Sequence, residues 1–143
     1  MQPPLKYPEF PARLRKVAST VQIFDSLRRK WLVLTPEEWV RQHIINYLIV
    51  EKQVPPGIIS IEKEVALNGL KKRYDIVVFG LDLKPWLVVE CKAPYIALTE
   101  DVAAQVMRYN LTLEAAYAMI SNGISEIVFQ GHSRISELPR YTR

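Results

Sequence analysis

The chain has 143 residues, 49% of them hydrophobic and 24% charged, which is ordinary for a single globular domain able to bury a core. No apolar run approaches the roughly 20 residues needed to cross a bilayer, and Met1 to Lys6 lacks the apolar centre of a secretion signal, so a cytoplasmic location is expected. A formal charge of +4 suits a polyanionic partner without demanding one. One cysteine, Cys91, excludes an internal disulfide, and the two distant histidines, His43 and His132, give no zinc spacing.

Residues 1–16, rich in proline and basic side chains, read as an irregular basic arm, and residues 17–143 as one domain. Val17 to Trp31 is ambiguous, with a short strand around Val21 to Phe24 followed by a loop. Bases cluster at Arg13, Arg15 and Lys16, at Arg28, Arg29 and Lys30, and at Lys71, Lys72 and Arg73; each cluster reads equally well as a solvated surface. Thr35-Pro36-Glu37-Glu38 starts a helix, with Thr35 as N-cap, Pro36 at the first position and Glu38 closing a capping box. Its apolar stripe is Trp39, Val40, Ile44, Tyr47 and Leu48, and Pro55-Pro56-Gly57 stops it. A strand from Ile58 to Leu67 turns through Asn68-Gly69. The strands Tyr74 to Phe79 and Trp86 to Cys91 carry consecutive apolar residues, as central strands do. Thr99 caps a second helix expected to reach about Ile120 and stop at Asn122-Gly123. A last strand spans Ile124 to Gln130, set parallel to its neighbour by the helical crossover, and the tail from Gly131 reads as polar coil.

The informative pair is Tyr74-Asp75-Ile76-Val77-Val78-Phe79 and Trp86-Leu87-Val88-Val89-Glu90-Cys91-Lys92, joined by a short polar bend. A bend centred on Asp82 and Leu83 makes partner numbers sum to 165, so that Phe79 faces Trp86, Val77 faces Val88 and Asp75 faces Glu90. Opposed Cβ atoms lie roughly 5 Å apart, and like charges there repel. Glu90 and Lys92 share a face because side chains alternate, while Cys91 points the other way as buried filler. Two carboxylates and an ammonium thus converge where a divalent cation would relieve the repulsion. The plain alternative is a solvated Glu–Lys pair at the open end of the hairpin. In the same register Arg73 sits opposite Lys92, an unfavourable meeting of cations that calls for a bulge, another register or a bound anion.

This D…ExK pattern resembles the PD-(D/E)XK nuclease superfamily. Within it, the chain is most similar to small proteins resembling the N-terminal nuclease domain of the type I restriction enzyme restriction subunit. The likeness rests on Thr35-Pro36-Glu37-Glu38-Trp39-Val40-Arg41-Gln42, Arg73-Tyr74-Asp75-Ile76-Val77-Val78, Glu90-Cys91-Lys92-Ala93-Pro94, Gln105 with Tyr109, and Ser121-Asn122-Gly123, in that order. The loosely kept proline before the strand Asp is Tyr74 here. The resemblance implies an α/β restriction-endonuclease-like three-layer sandwich, with a central mixed sheet between helices. It implies a magnesium-dependent endodeoxyribonuclease, with manganese as the alternative metal. Asp75, Glu90 and Lys92 would be catalytic, and Asp75, Glu90, the main-chain carbonyl of Cys91 and Glu38 would attend the metal. Glu38 would do so through a bound water, in competition with its capping role. Gln105, Tyr109 and Arg73 would contact substrate. The implied partners are DNA and either a second copy of the chain or other protein subunits. A non-catalytic nucleic-acid-binding or assembly module of the same fold is the alternative, and an RNA nuclease is a third reading. The sequence contains no Gly-rich phosphate loop, helix-turn-helix or zinc-finger signature.

Overall fold

The computed structural model describes residues 3–67 and 69–142, without the side chains of Val65, Leu67, Leu70, Tyr109, Leu111 and Thr112. Among the described residues it is a mixed α/β structure of two α-helices, one short 3-10 turn (Pro56–Ile58) and two sheets. The first sheet is an antiparallel meander of β1 (Leu14–Val17), β2 (Thr20–Asp25) and β3 (Lys30–Val33). After α1 (Pro36–Val50) come β4 (Ile59–Leu67), β5 (Leu70–Phe79) and β6 (Pro85–Cys91), then α2 (Glu100–Leu113), β7 (Tyr117–Ser121), β8 (Glu126–Gln130) and β9 (Ser133–Ile135). These six strands form the second sheet in sequence order. Only the β6–β7 pair, bridged by the α2 crossover, is parallel.

The helices cover opposite faces of that sheet. Val40, Ile44 and Leu48 of α1, all fully buried, pack with Ile76, Val78, Leu87, Val89, Met119 and Val128. Ala103 and Val106 of α2 pack with Val77, Val88, Ala118, Ile120, Ile127 and Phe129. Alternation along each strand supplies both layers, which is why residues 76–79 of β5, 86–89 of β6 and 117–120 of β7 read as unbroken apolar runs. Burying each large aliphatic side chain of α1 contributes roughly 2 kcal/mol. Among the described residues no helix is long and apolar enough to cross a membrane.

Several expectations need correction. The meander replaces the single short strand and loop expected before α1, and β1 takes in Leu14, Arg15 and Lys16 of the expected arm. α2 ends at Leu113 rather than near Ile120, with Glu114 in the left-handed region (φ 57°) and its N–H donating to the Asn110 carbonyl. The residues beyond it form β7, and this strand, not the one near residue 127, is the parallel partner of β6; β8 returns antiparallel. Asn122-Gly123 is therefore the β7–β8 turn. Asn122 Oδ1 accepts the N–H groups of Ile124 and Ser125, and Gly123 sits at φ 85°, where a Cβ would meet Leu5 at 2.7 Å. The tail is not all coil: β9 pairs with β8, and Leu138 is fully buried. The β4–β5 hairpin pairs Leu67 with Leu70 and has Gly69 at φ 81°; Asn68 lies outside the described residues.

Candidate functional site

The β5–β6 hairpin adopts the expected register over its centre, with Ile76 opposite Val89, Val77 opposite Val88 and Val78 opposite Leu87. A bulge at Val78/Phe79 then sets Phe79 opposite Pro85 instead of Trp86, because the turn takes Gly80 to Lys84 with Leu83 in the left-handed region (φ 65°). The ladder stops one residue short of the expected Asp75–Glu90 rung, and Glu90 bears on the Asp75 carboxyl through its charge. The expected clash of Arg73 with Lys92 does not arise in the ladder. The β5–β6 pairing ends at Ile76–Val89, and Arg73, exposed, pairs across with Glu64 of β4.

Alternation breaks at Asp75. Ile76 and Val78 face the α1 cluster, but Tyr74, which simple alternation would put beside them, joins Val77 in the α2 cluster. Across the sheet Glu62 has φ 55°, and the Glu62–Asp75 rung is missing from an otherwise continuous β4–β5 register. This irregularity re-aims Asp75. Its Oδ2 accepts the Cys91 N–H at 2.7 Å, and its Oδ1 lies 3.7 Å from the Arg41 guanidinium of α1. Burial raises the Asp75 carboxyl above its ordinary range; Glu90 pushes the same way, and the Cys91 N–H and Arg41 offset only part of this.

Glu90 is part-buried and its Oε1 lies 3.4 Å from the Lys72 ammonium. Lys92 is half-buried just past β6, with its N–H donating to the Ser121 carbonyl; among the described residues its ammonium makes no ion pair. Cys91 is buried in the α1 cluster, and burial pushes its thiol up, consistent with filler. Glu38 is half of a capping box: its N–H donates to Thr35 Oγ1 (3.0 Å), but its carboxylate turns to Arg41. Oε1 takes Arg41 Nη2, while Oε2 accepts Arg41 Nε and Gln42 Nε2, each at 3.0 Å. Gln105 is exposed on α2, and the side chain of Tyr109 lies outside the described residues.

Behind Asp75 stands a polar network that the sequence reading did not assemble. Asp25, fully buried, accepts the N–H groups of Leu27 and Arg28, the Arg28 Nε at 2.8 Å and Gln42 Nε2 at 3.2 Å. Burial alone would raise its carboxyl, yet Arg28 and Gln42 hold it below its ordinary range. Arg28 and Arg41 both reach Glu62, at 3.0 and 3.2 Å, and although burial raises its carboxyl, the two together hold it below its ordinary range. Arg41 therefore ties Glu38, Glu62 and Asp75 together. The Asp25-Ser26-Leu27-Arg28 turn and the Glu38–Arg41–Gln42 spacing were legible locally; nothing local announces Glu62.

The donor set at the hairpin end is hard: the carboxylates of Asp75 and Glu90. It fits magnesium, which commonly takes one or two carboxylates and keeps several waters. Among the described residues no three His, Cys, Asp or Glu side chains gather in metal-ligating geometry, so water would have to complete the shell.

Fold and site together define a mixed α/β domain with acids at the end of its central hairpin. Residues 36–140, 105 of the 143, match the family described as type I restriction enzyme R protein N terminus, and the chain belongs to that family. No curated protein matches the chain.

Proposed function

We propose that this domain is a metal-dependent nuclease that hydrolyses DNA phosphodiester bonds, with the restriction-endonuclease-like sandwich of the PD-(D/E)XK superfamily. The observation that carries the reading is Asp75: a part-buried carboxylate, raised by burial and by Glu90, at the end of an otherwise apolar hairpin. Family membership supports it, since the family's description ties such domains to restriction enzymes.

In this reading Asp75, Glu90 and the Cys91 carbonyl would hold magnesium or manganese. When bound, the metal would lower the pKa of a water and polarise a phosphoryl oxygen. The Cys91 N–H fixes one Asp75 oxygen, and the other lies 3.7 Å from the Arg41 guanidinium. Lys92 would orient the attacking water or neutralise charge growing on the phosphate. Glu38, held by Arg41 and Gln42, would accept from a metal-bound water, and Arg41 would keep the neighbouring acids from repelling Asp75. Gln105, Tyr109 and Arg73 would meet the DNA. The same family description supports DNA and other subunits of a restriction complex as partners.

A second reading, a binding module without turnover, draws on the Lys72–Glu90 pair, since that ammonium stands where a metal would compete. One experiment separates them. Purified protein is incubated with duplex, single-stranded and branched DNA and with RNA, in magnesium or in chelator, beside Lys92→Ala. Cleavage confined to magnesium and lost in the variant supports the nuclease; a variant cutting at the wild-type rate removes it, and cleavage of RNA alone reassigns the substrate.

A further inference from the structure

The N-terminal meander lies ahead of the family-matched residues and has two unlike faces. Ile23 and Asp25, fully buried, turn toward the body, so Gln22 and Phe24 turn outward. Phe24 and its cross-strand partner Trp31 stack edge to face at 5.3 Å, and neither belongs to either apolar cluster of the body. Two exposed arginines lie over these rings. The Arg13 guanidinium is 4.5 Å from the Phe24 centroid and 5.5 Å from that of Trp31. The Arg15 guanidinium is 4.3 Å from the Trp31 centroid, and its Nε donates to Gln22 at 2.7 Å. Among the described residues no acidic residue lies on this outward face, and exposed Arg29 stands beside it in the β2–β3 turn.

We propose that this Arg13–Arg15–Phe24–Trp31 platform binds single-stranded nucleic acid, independently of the nuclease reading. Charge complementarity points to a polyanion, because the arginines meet no carboxylate there. Flat rings and the guanidinium planes held against them favour a strand whose bases are free to stack, whereas a duplex keeps its base faces covered. The rings and Gln22 hold the guanidiniums in place while leaving N–H edges for phosphates.

The test is anisotropy of labelled oligothymidylate in chelator, where cleavage cannot interfere. Trp31→Ala should weaken binding about ten-fold, and Trp31→Phe should retain most of it. Arg13→Gln with Arg15→Gln keeps both rings and should reduce the dependence of log K on log salt by about 1.4, for two phosphates on a single strand. Lys84→Gln with Arg140→Gln removes the same charge from exposed positions elsewhere and should change little. Circular dichroism and melting confirm that each variant is folded, and the arginine pair decides the matter if Trp31→Ala is not. The proposal is overturned if no binding appears at low salt, or if the control pair loses as much as the arginine pair. It is equally overturned if duplex DNA or heparin binds as tightly with the same sensitivity to the variants, which would leave only a generic polyanion surface.

Discussion

Asp25 and Asp75 are two carboxylates joined by one network, and they behave oppositely. Asp25 is the more deeply buried, yet its carboxyl is lowered; Asp75 retains 28% side-chain exposure, yet its carboxyl is raised. Burial pushes both upward, and the donors that oppose it differ. Asp25 accepts two main-chain N–H groups, a guanidinium at 2.8 Å and an amide. Asp75 has one N–H, a guanidinium at 3.7 Å that it shares with Glu38 and Glu62, and Glu90 close by. Asp25 is surrounded by donors and holds structure, whereas Asp75 is left with its charge partly uncompensated, the condition that the proposed nuclease reading requires of it.

The largest expected effect is on catalysis. Asp75→Asn, Glu90→Gln and Lys92→Ala should each lower magnesium-dependent cleavage on the order of a hundred-fold or more while remaining folded by circular dichroism. Their combinations should lose little further, because residues acting as a unit are non-additive. Fully additive losses would show that the three do not share one step.

Stability should split the two aspartates. Asp25→Ala leaves Arg28 and Gln42 facing a vacancy and should cost about 3 kcal/mol in urea titration. Asp75→Asn in chelator should leave stability unchanged or higher, since the amide oxygen still accepts the Cys91 N–H and the repulsion with Glu90 is gone. A clear loss on Asp75→Asn would make Asp75 a structural ion-pair member like Asp25.

The same contrast should appear with pH. Asp25 and Glu62 have native values below their ordinary 3.8 and 4.5, so the native state binds their protons more weakly than the unfolded chain. Their stabilisation is complete above those ordinary values and is lost as the pH falls through the native ones. Asp75 has the opposite sign. Its native state holds the proton more tightly, so stability declines as the pH rises from 3.8 through its raised native value. Any gain from Asp75→Asn should therefore be present at neutral pH and fade in acid; a gain that grows in acid contradicts the assigned direction.

The smallest effect sharpens the metal reading. Magnesium should raise the melting temperature of the wild type by binding the native state, and Asp75→Asn should lose most of that shift while Asp25→Asn keeps it. Equal shifts in all three proteins would place the ion elsewhere.

How much of this was legible follows from where each determinant lies. The start of α1 was written locally, in Thr35 and Pro36, and the hairpin register could be counted from a short bend between two apolar runs. The end of α2 was not. Ala115 to Ile120 continues an apolar pattern that suits a helix or a buried strand, and no glycine marks the break after Leu113. The vacant edge of β6 decides it, because a segment returning from the crossover gains a full parallel ladder there. The meander was hidden for a related reason: its strands are short, and their pairing partners supply the order.

The sequence by itself determined the two apolar layers, the helix starts and the hairpin register from Ile76–Val89 to Val78–Leu87, since periodicity, caps and turn length act between near neighbours. Only the tertiary structure decided what surrounds those acids. The reversal of alternation at Asp75, the Lys72–Glu90 pair and the tie from Asp25 through Arg28 to Glu62 join residues far apart in the chain. Electrostatic compensation depends on distance in space, and spacing along the sequence does not carry it.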